Sequence, residues 1–137
     1  MLFAARAALG LFLSSLFGVL LYLVLVPVVE SIWKIGYINF ALMGVVTVGF
    51  GAGVGSFLGW LDRDSRPWLL LVTLVLSLAA SMIGGWGGLL NGEDHFKLGG
   101  LPGIPALTGI VIGATLGGNI FNVAVWLFTT LRNPRIR

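Results

Sequence analysis

The sequence predicts an all-α integral membrane protein, a single domain of four transmembrane helices with close packing at glycine and other small residues. Three observations support this prediction. Of the 137 residues, 58% are hydrophobic and only 9% are charged, whereas a soluble domain carries about 25% charged residues. Four uncharged stretches each reach the roughly 20 residues that cross a hydrocarbon core of about 30 Å. One of these stretches is also exceptionally rich in glycine.

The helices are expected at about residues 7–29, 39–61, 67–90 and 104–131, between the charged positions. The first resembles a signal peptide, but its apolar part exceeds the usual length of about 7–15 residues and no small-x-small cleavage site follows. We expect it to be retained as helix 1, ending near Pro27 and Glu30.

Charged and aromatic residues mark the connections between these helices. Trp33 and Tyr37 lie in the first connection, as expected for aromatic side chains at the headgroup layer. Pro67 suits the first turn of helix 3. The segment 91–105 is rich in turn-forming residues and is expected to be the longest loop.

Helix 2 contains six glycines within residues 44–59. In water each would cost about 1 kcal/mol relative to Ala. In a bilayer the segment should stay helical, because unpaired backbone groups cost several kcal/mol each there. Gly51, Gly55 and Gly59 recur every four residues on one face, and Gly49 and Gly53 form a second face. Helix 2 is therefore predicted to be the packing centre.

Small residues at four-residue spacing predict which helices touch. Helices 1 and 2 should meet near their cytoplasmic ends, and helices 3 and 4 should meet in the outer half of the membrane. The stripes are Gly10, Ser14 and Gly18 on helix 1; Gly51, Gly55 and Gly59 on helix 2; Ser77, Ser81 and Gly85 on helix 3; and Gly109, Gly113 and Gly117 on helix 4. The opposite depths of the two glycine runs weaken the idea of an internal duplication.

The distribution of Lys and Arg predicts the orientation. Six basic residues fall on one side of the predicted bundle and two on the other: Arg6, Arg63, Arg66, Arg132, Arg135 and Arg137 against Lys34 and Lys97. The positive-inside rule then places both termini in the cytoplasm, in a bacterial-type plasma (inner) membrane. Nucleic-acid binding is not expected despite the net charge of +3, because no basic stripe with interleaved aromatics is present.

No ionisable residue lies near the middle of a predicted span, where it would mark a proton or ion path. Cysteine is absent, and the sequence contains one His, so no metal site or catalytic constellation is predicted. Glu93, Asp94 and His95 could do acid–base chemistry in the long loop, but a solvated loop is the simpler interpretation. The sequence leaves open whether a pigment, haem, lipid or ion is bound.

Two amides are the most informative polar residues within the spans. Asn119 and Asn122 lie three residues apart near the middle of helix 4, and buried amides need partners. They form interhelical hydrogen bonds that hold the register of the helices, line a polar path, or bind a ligand. A second possibility for ion contact is a helix unwound at residues 49–55 or 84–88, which would expose backbone carbonyls.

The function these observations favour is a non-catalytic structural or accessory subunit of a larger integral membrane complex, such as a respiratory or photosynthetic one. It would supply helix-packing surface and lipid or pigment contacts to other membrane subunits. The alternative is a small homo-oligomeric channel or transporter with a polar path near Asn119 and Asn122. A membrane enzyme ranks third.

Overall fold

A computed structural model describes residues 2–33, 37–61, 67–95 and 104–132, and the side chains of 3–32, 41–61, 67–92 and 106–131. The described chain forms four α-helices: α1 (Leu2–Trp33), α2 (Tyr37–Trp60), α3 (Pro67–His95) and α4 (Ile104–Arg132). Each is long and apolar enough to cross a membrane. The predicted all-α bundle of four membrane-spanning helices is therefore confirmed.

The helices extend further than the sequence indicated at several ends. α1 continues through Pro27 to Trp33, although an end near Pro27 and Glu30 was expected. A bilayer favours this continuation because leaving the helix would expose more backbone groups than the proline itself leaves unpaired. α2 begins at Tyr37, two residues earlier than expected, and ends at Trp60.

The end of α3 corrects a second prediction. Glu93, Asp94 and His95, expected in a loop, form the last turn of a helix that continues to His95. α3 therefore ends about five residues later than predicted. The other residues of the predicted loop up to residue 103, and the basic residues beyond 132, lie outside the described part of the chain.

α2 occupies the centre of the bundle. It contacts α1, α3 and α4, and α4 also contacts α1 and α3. Over half of the α2 span is buried, against about a fifth of the α1 and α3 spans. The antiparallel helices bring the start of α1, the end of α2, the start of α3 and the end of α4 to one end of the bundle, called here the terminal end.

α1 and α2 approach each other backbone to backbone. A Cβ atom built on Gly55 would lie 2.5 Å from the carbonyl carbon of Leu13 and 2.7 Å from the Cα of Ser14. Similar close approaches pair Gly51 with Gly18 and Gly59 with Gly10. The glycines act here by lacking a side chain, which brings the two helices into extensive dispersion contact.

α3 and α4 approach as closely, but through a different stripe of α3 than the sequence suggested. Gly84 and Gly88 lie against the backbone of Gly113 and Gly109. The expected Gly85 is instead turned toward Ala114, at an ordinary contact distance of 3.5 Å. The close contact with α4 is thus one residue out of register with the predicted stripe.

The second glycine face of α2 packs on α3. Gly49 lies beside Met82, and Gly53 lies beside Leu78. α2 and α3 remain α-helical through residues 49–55 and 84–88. The alternative of a helix unwound at these glycines is therefore wrong.

Candidate functional site in the bundle interior

Asn122 joins three helices near the middle of the bundle. Its side chain is only 2% exposed. The Nδ2 group lies 2.8 Å from the Oγ of Ser56 on α2 and 2.8 Å from the Oγ of Ser77 on α3. It also donates to the carbonyl of Gly118, one turn earlier on α4, at 2.9 Å. Because a carbonyl can only accept, this bond fixes which end of the amide is the nitrogen.

The partners described so far all contact the Nδ2 of Asn122, and none contacts its Oδ1. Within the described residues it accepts no hydrogen bond, and Asn122 lines a cavity of about 70 Å³. The hydroxyl of Ser77 in turn donates to the carbonyl of Gly53 at 3.1 Å. The nitrogen of this amide therefore connects helices, while its oxygen remains available as an acceptor.

Asn119 makes a second junction, one turn away and facing a different pair of helices. Its Oδ1 accepts a hydrogen bond of 3.1 Å from the indole Nε1 of Trp60 on α2. Its Nδ2 donates to the carbonyl of Thr115 at 2.8 Å and, at 3.4 Å, approaches the carbonyl of Gly10 on α1. The two asparagines together reach every other helix of the bundle.

Two hydroxyls near these amides lack hydrogen-bond partners among the described residues. They are the Oγ of Ser81 and the Oγ1 of Thr115, both buried. Ser81 lies against Gly118, whose missing side chain makes room for the hydroxyl. A further buried hydroxyl, Ser14, donates to the carbonyl of Ala52 at 2.9 Å and reinforces the contact of α1 with α2.

Aromatic rings cover the terminal end of this polar interior. The rings of Phe3, Trp60 and Trp126 contact one another, with centroid separations of 5.3–6.0 Å. Trp60 is only 6% exposed. Although Trp60 is the last residue of α2, its indole nitrogen donates to Asn119 inside the bundle.

Two adjoining spaces lie between α3 and α4 on the terminal side of Asn122. The inner one is the 70 Å³ cavity; its lining includes Phe57 and Trp60 of α2, Thr73 of α3, and Asn122 and Trp126 of α4. The outer one is an apolar groove of about 300 Å³, whose lining includes Val72, Leu76, Phe121 and Phe128. Leu69, Thr73, Val125 and Thr129 line both, so the spaces adjoin and are together called the cleft.

The cleft exists because α3 and α4 are held together elsewhere. Their backbones meet at Gly84 and Gly113, in the half of the bundle opposite the terminal end. Toward the terminal end the stripe of glycines is replaced by larger residues, including Leu69 and Val125. The outer groove lies there, and its lining residues Val72, Leu76 and Phe128 are exposed on the membrane-facing surface.

The predicted site residues thus fall into two groups. Gly10, Gly18, Gly51, Gly55 and Gly59 lie at the α1–α2 contact, and Gly109, Gly113 and Gly117 lie at the α3–α4 contact. Ser77 and Ser81, expected at that second contact, instead belong with Asn122 in the interior. The sequence analysis did not single out Ser56 and Trp60 as site residues. The available signal was their four-residue spacing from Ala52, which places all three on one face of α2.

Metal ligation finds no support in the part of the chain that the structure describes. It contains no group of three or more His, Cys, Asp or Glu side chains able to hold a metal ion. The interior side chains that converge are amides, hydroxyls and an indole. Their chemistry is hydrogen bonding to neutral groups.

These features define a class: a multi-pass membrane protein whose helices contact the lipid bilayer on the outside and hydrogen-bond to one another on the inside. Comparison with known proteins goes no further, since no protein-family model, curated protein or solved structure matches the chain.

Proposed function

We propose that this protein is a non-catalytic, helix-packing subunit of a larger integral membrane assembly. The observation that supports this proposal is the empty space beside Gly87 on α3. Of the glycines whose surroundings are described, Gly87 is the one with no atom within 4 Å of the position a Cβ would take. A helical glycine lowers stability relative to alanine, and one that contacts nothing does not offset this loss by closer packing. A neighbouring helix that used its flat surface would supply the missing compensation.

The surroundings of Gly87 suit a helix of another chain. Ile83 and Leu90, one turn to either side on the same face of α3, are 74% and 61% exposed, and Trp86 is 47% exposed. The face therefore has one glycine between large exposed apolar side chains, so a neighbouring helix can approach the backbone at Gly87 and pack against the side chains around it. The other glycines whose surroundings are described each have neighbouring atoms from another helix of the same chain.

The interior amides support the same function. Asn119 and Asn122 donate their N–H groups to other helices or to α4 itself, as expected of groups that fix helix register. Interhelical hydrogen bonds of this kind contribute about 0.6 kcal/mol each on average, up to about 2 kcal/mol. A bundle whose helices are joined by such bonds suits a subunit that presents its outer surfaces to other chains.

The test is extraction from the native membrane in a mild detergent, followed by particle mass, absorption spectrum and identification of every co-purifying chain. We expect a particle that contains other membrane subunits, with the spectrum identifying any haem or pigment. Gly87→Leu should release these subunits without unfolding the chain. Ala124→Leu, at an exposed position on α4, is the matched control and should leave the particle intact.

A channel or transporter is the second candidate, and the cavity beside Asn122 favours it. A particle containing only copies of this chain would make ion flux the next assay. Replacement of Asn119 and Asn122 by Leu should then abolish flux, whereas in an accessory subunit it should change only stability and assembly.

A further inference from the structure

We propose that the cleft between α3 and α4 binds a neutral amphiphile with a hydroxyl head, such as a lipid alcohol. Its chain would lie in the outer groove and its hydroxyl would donate to Asn122. The proposal does not depend on the accessory role, because the cleft is formed within a single chain.

The outer groove supplies the apolar half of this site. Its volume is about 300 Å³ and its lining is leucine, valine and phenylalanine with two threonines. The groove spans α3 from Leu69 to Leu76, which is about 10 Å along a helix. Because it faces the membrane, hydrocarbon is the medium available to fill it, and a chain running along the helices fits its length.

The inner cavity supplies the polar half. At about 70 Å³ it exceeds the 10–15 Å³, approximately, that a single water needs. Asn122 is only 2% exposed and lines this cavity, and its Oδ1 accepts no bond from the described residues, so a donor placed in the cavity would gain a partner without displacing one.

The remaining polar groups on the wall also favour a donor. The hydroxyl of Thr73 already donates to the carbonyl of Leu69 at 2.8 Å, and that of Thr129 donates to the carbonyl of Trp126 at 2.9 Å. Their protons are therefore used, and their oxygens keep free lone pairs. The indole N–H of Trp60 is committed to Asn119. The cavity consequently presents acceptors and aromatic rings.

A neutral head is favoured over a charged one. None of the described side chains that line the two spaces is ionisable. An ammonium group would satisfy the acceptors but would find no counter-charge among these described side chains, which is costly inside a membrane. An ester or ether head offers acceptors alone and would leave Asn122 unpaired. A hydroxyl meets both conditions.

The experiment measures quenching of tryptophan fluorescence in lipid nanodiscs. Trp33, Trp68 and Trp86 are first replaced by Phe, which leaves Trp60 and Trp126 on the cavity wall. The probes are a bromoalkanol and its methyl ether. They share the brominated chain, and the ether carries a methyl group in place of the hydroxyl proton. We expect the alcohol to bind about fivefold more tightly, as one neutral hydrogen bond provides.

Two variants locate the binding. Val125→Phe fills the junction between groove and cavity and should abolish saturable quenching by the alcohol. Ala124→Phe places the same ring on an exposed neighbouring position and should leave quenching unchanged. If Val125→Phe does not fold, Thr129→Phe makes the same test at an exposed position of the lining.

Each outcome is decisive. Equal affinity for the alcohol and the ether would overturn the assignment of the hydroxyl to Asn122, even with a filled groove. Equal quenching in the Val125→Phe and Ala124→Phe variants would overturn the cleft as the binding site. Neither result depends on whether other subunits co-purify, so failure here is distinguishable from failure of the accessory role.

Discussion

Gly55→Ala tests the central packing contact with the smallest possible change. The added Cβ would lie 2.5 Å from the carbonyl carbon of Leu13 and 2.7 Å from the Cα of Ser14. Both atoms are backbone, so no side-chain rotation can relieve the overlap. Reaching the favourable separation of about 3.5 Å requires α1 to move by about 1 Å.

That displacement affects the whole α1–α2 contact. It would loosen the Ser14 hydrogen bond to Ala52, now 2.9 Å, and the neighbouring glycine contacts. Overpacking of this kind costs about 1–3 kcal/mol, which exceeds the gain of about 1 kcal/mol from replacing a helical glycine by alanine. After the gain is subtracted, we expect a net loss of stability of up to about 2 kcal/mol.

Gly87→Ala is the matched control. It makes the same chemical change at a helical glycine with nothing within 4 Å, so only the helix-propensity gain remains. We expect the purified chain to become more stable by up to about 1 kcal/mol. Reversible unfolding in mixed micelles, titrated with a denaturing detergent, measures both variants. Equal shifts for Gly55→Ala and Gly87→Ala would refute the assignment of Gly55 to a backbone contact.

Three further changes probe the interior and the second glycine contact. Asn122→Leu removes the bonds to α2 and α3 and should cost about 1–2 kcal/mol in the same unfolding assay, with no loss expected if the amide were exposed to lipid. Gly84→Ala should separate α3 from α4, whereas Gly85→Ala, whose Cβ has ordinary space, should be nearly neutral; a larger effect at Gly85 would restore the stripe predicted from sequence. Trp60→Phe keeps an aromatic ring at this position but removes the N–H donor to Asn119. It should lower the stability by about 1 kcal/mol and shift the infrared absorption of the Asn119 side-chain carbonyl, which loses its hydrogen bond.

The four helices could be predicted because, in a bilayer, the length and apolar composition of a segment determine whether it forms a membrane-spanning helix. The four spans follow from the absence of charge over about 20 residues. Their ends were less predictable. Proline and charged residues such as Pro27 and Glu93 end helices in water, but a membrane-spanning helix continues until its backbone can reach water or another partner.

The α1–α2 contact was also readable from the sequence, because Gly51, Gly55 and Gly59 form the only unbroken glycine stripe on that face of α2. On α3 two stripes compete: Ser77 with Ser81, and Gly84 with Gly88. Both satisfy a four-residue period, so spacing cannot choose between them. The structure places the glycines against α4 and the serines in the interior, where Ser77 hydrogen-bonds to Asn122 and to the carbonyl of Gly53.

The division of contacts between the two halves of the chain has a consequence for biosynthesis. Each pair of consecutive helices is joined mainly by backbone contacts at glycine, which can form as soon as that pair enters the membrane. The side-chain bonds of Asn119 to Trp60 and of Asn122 to Ser56 connect the first pair to the second. A second pair that has lost the first would leave Asn119 without a partner on another helix, whereas Asn122 would keep Ser77. Such an unpaired amide is a signal by which quality-control proteases of the membrane can distinguish an orphaned fragment from a finished protein.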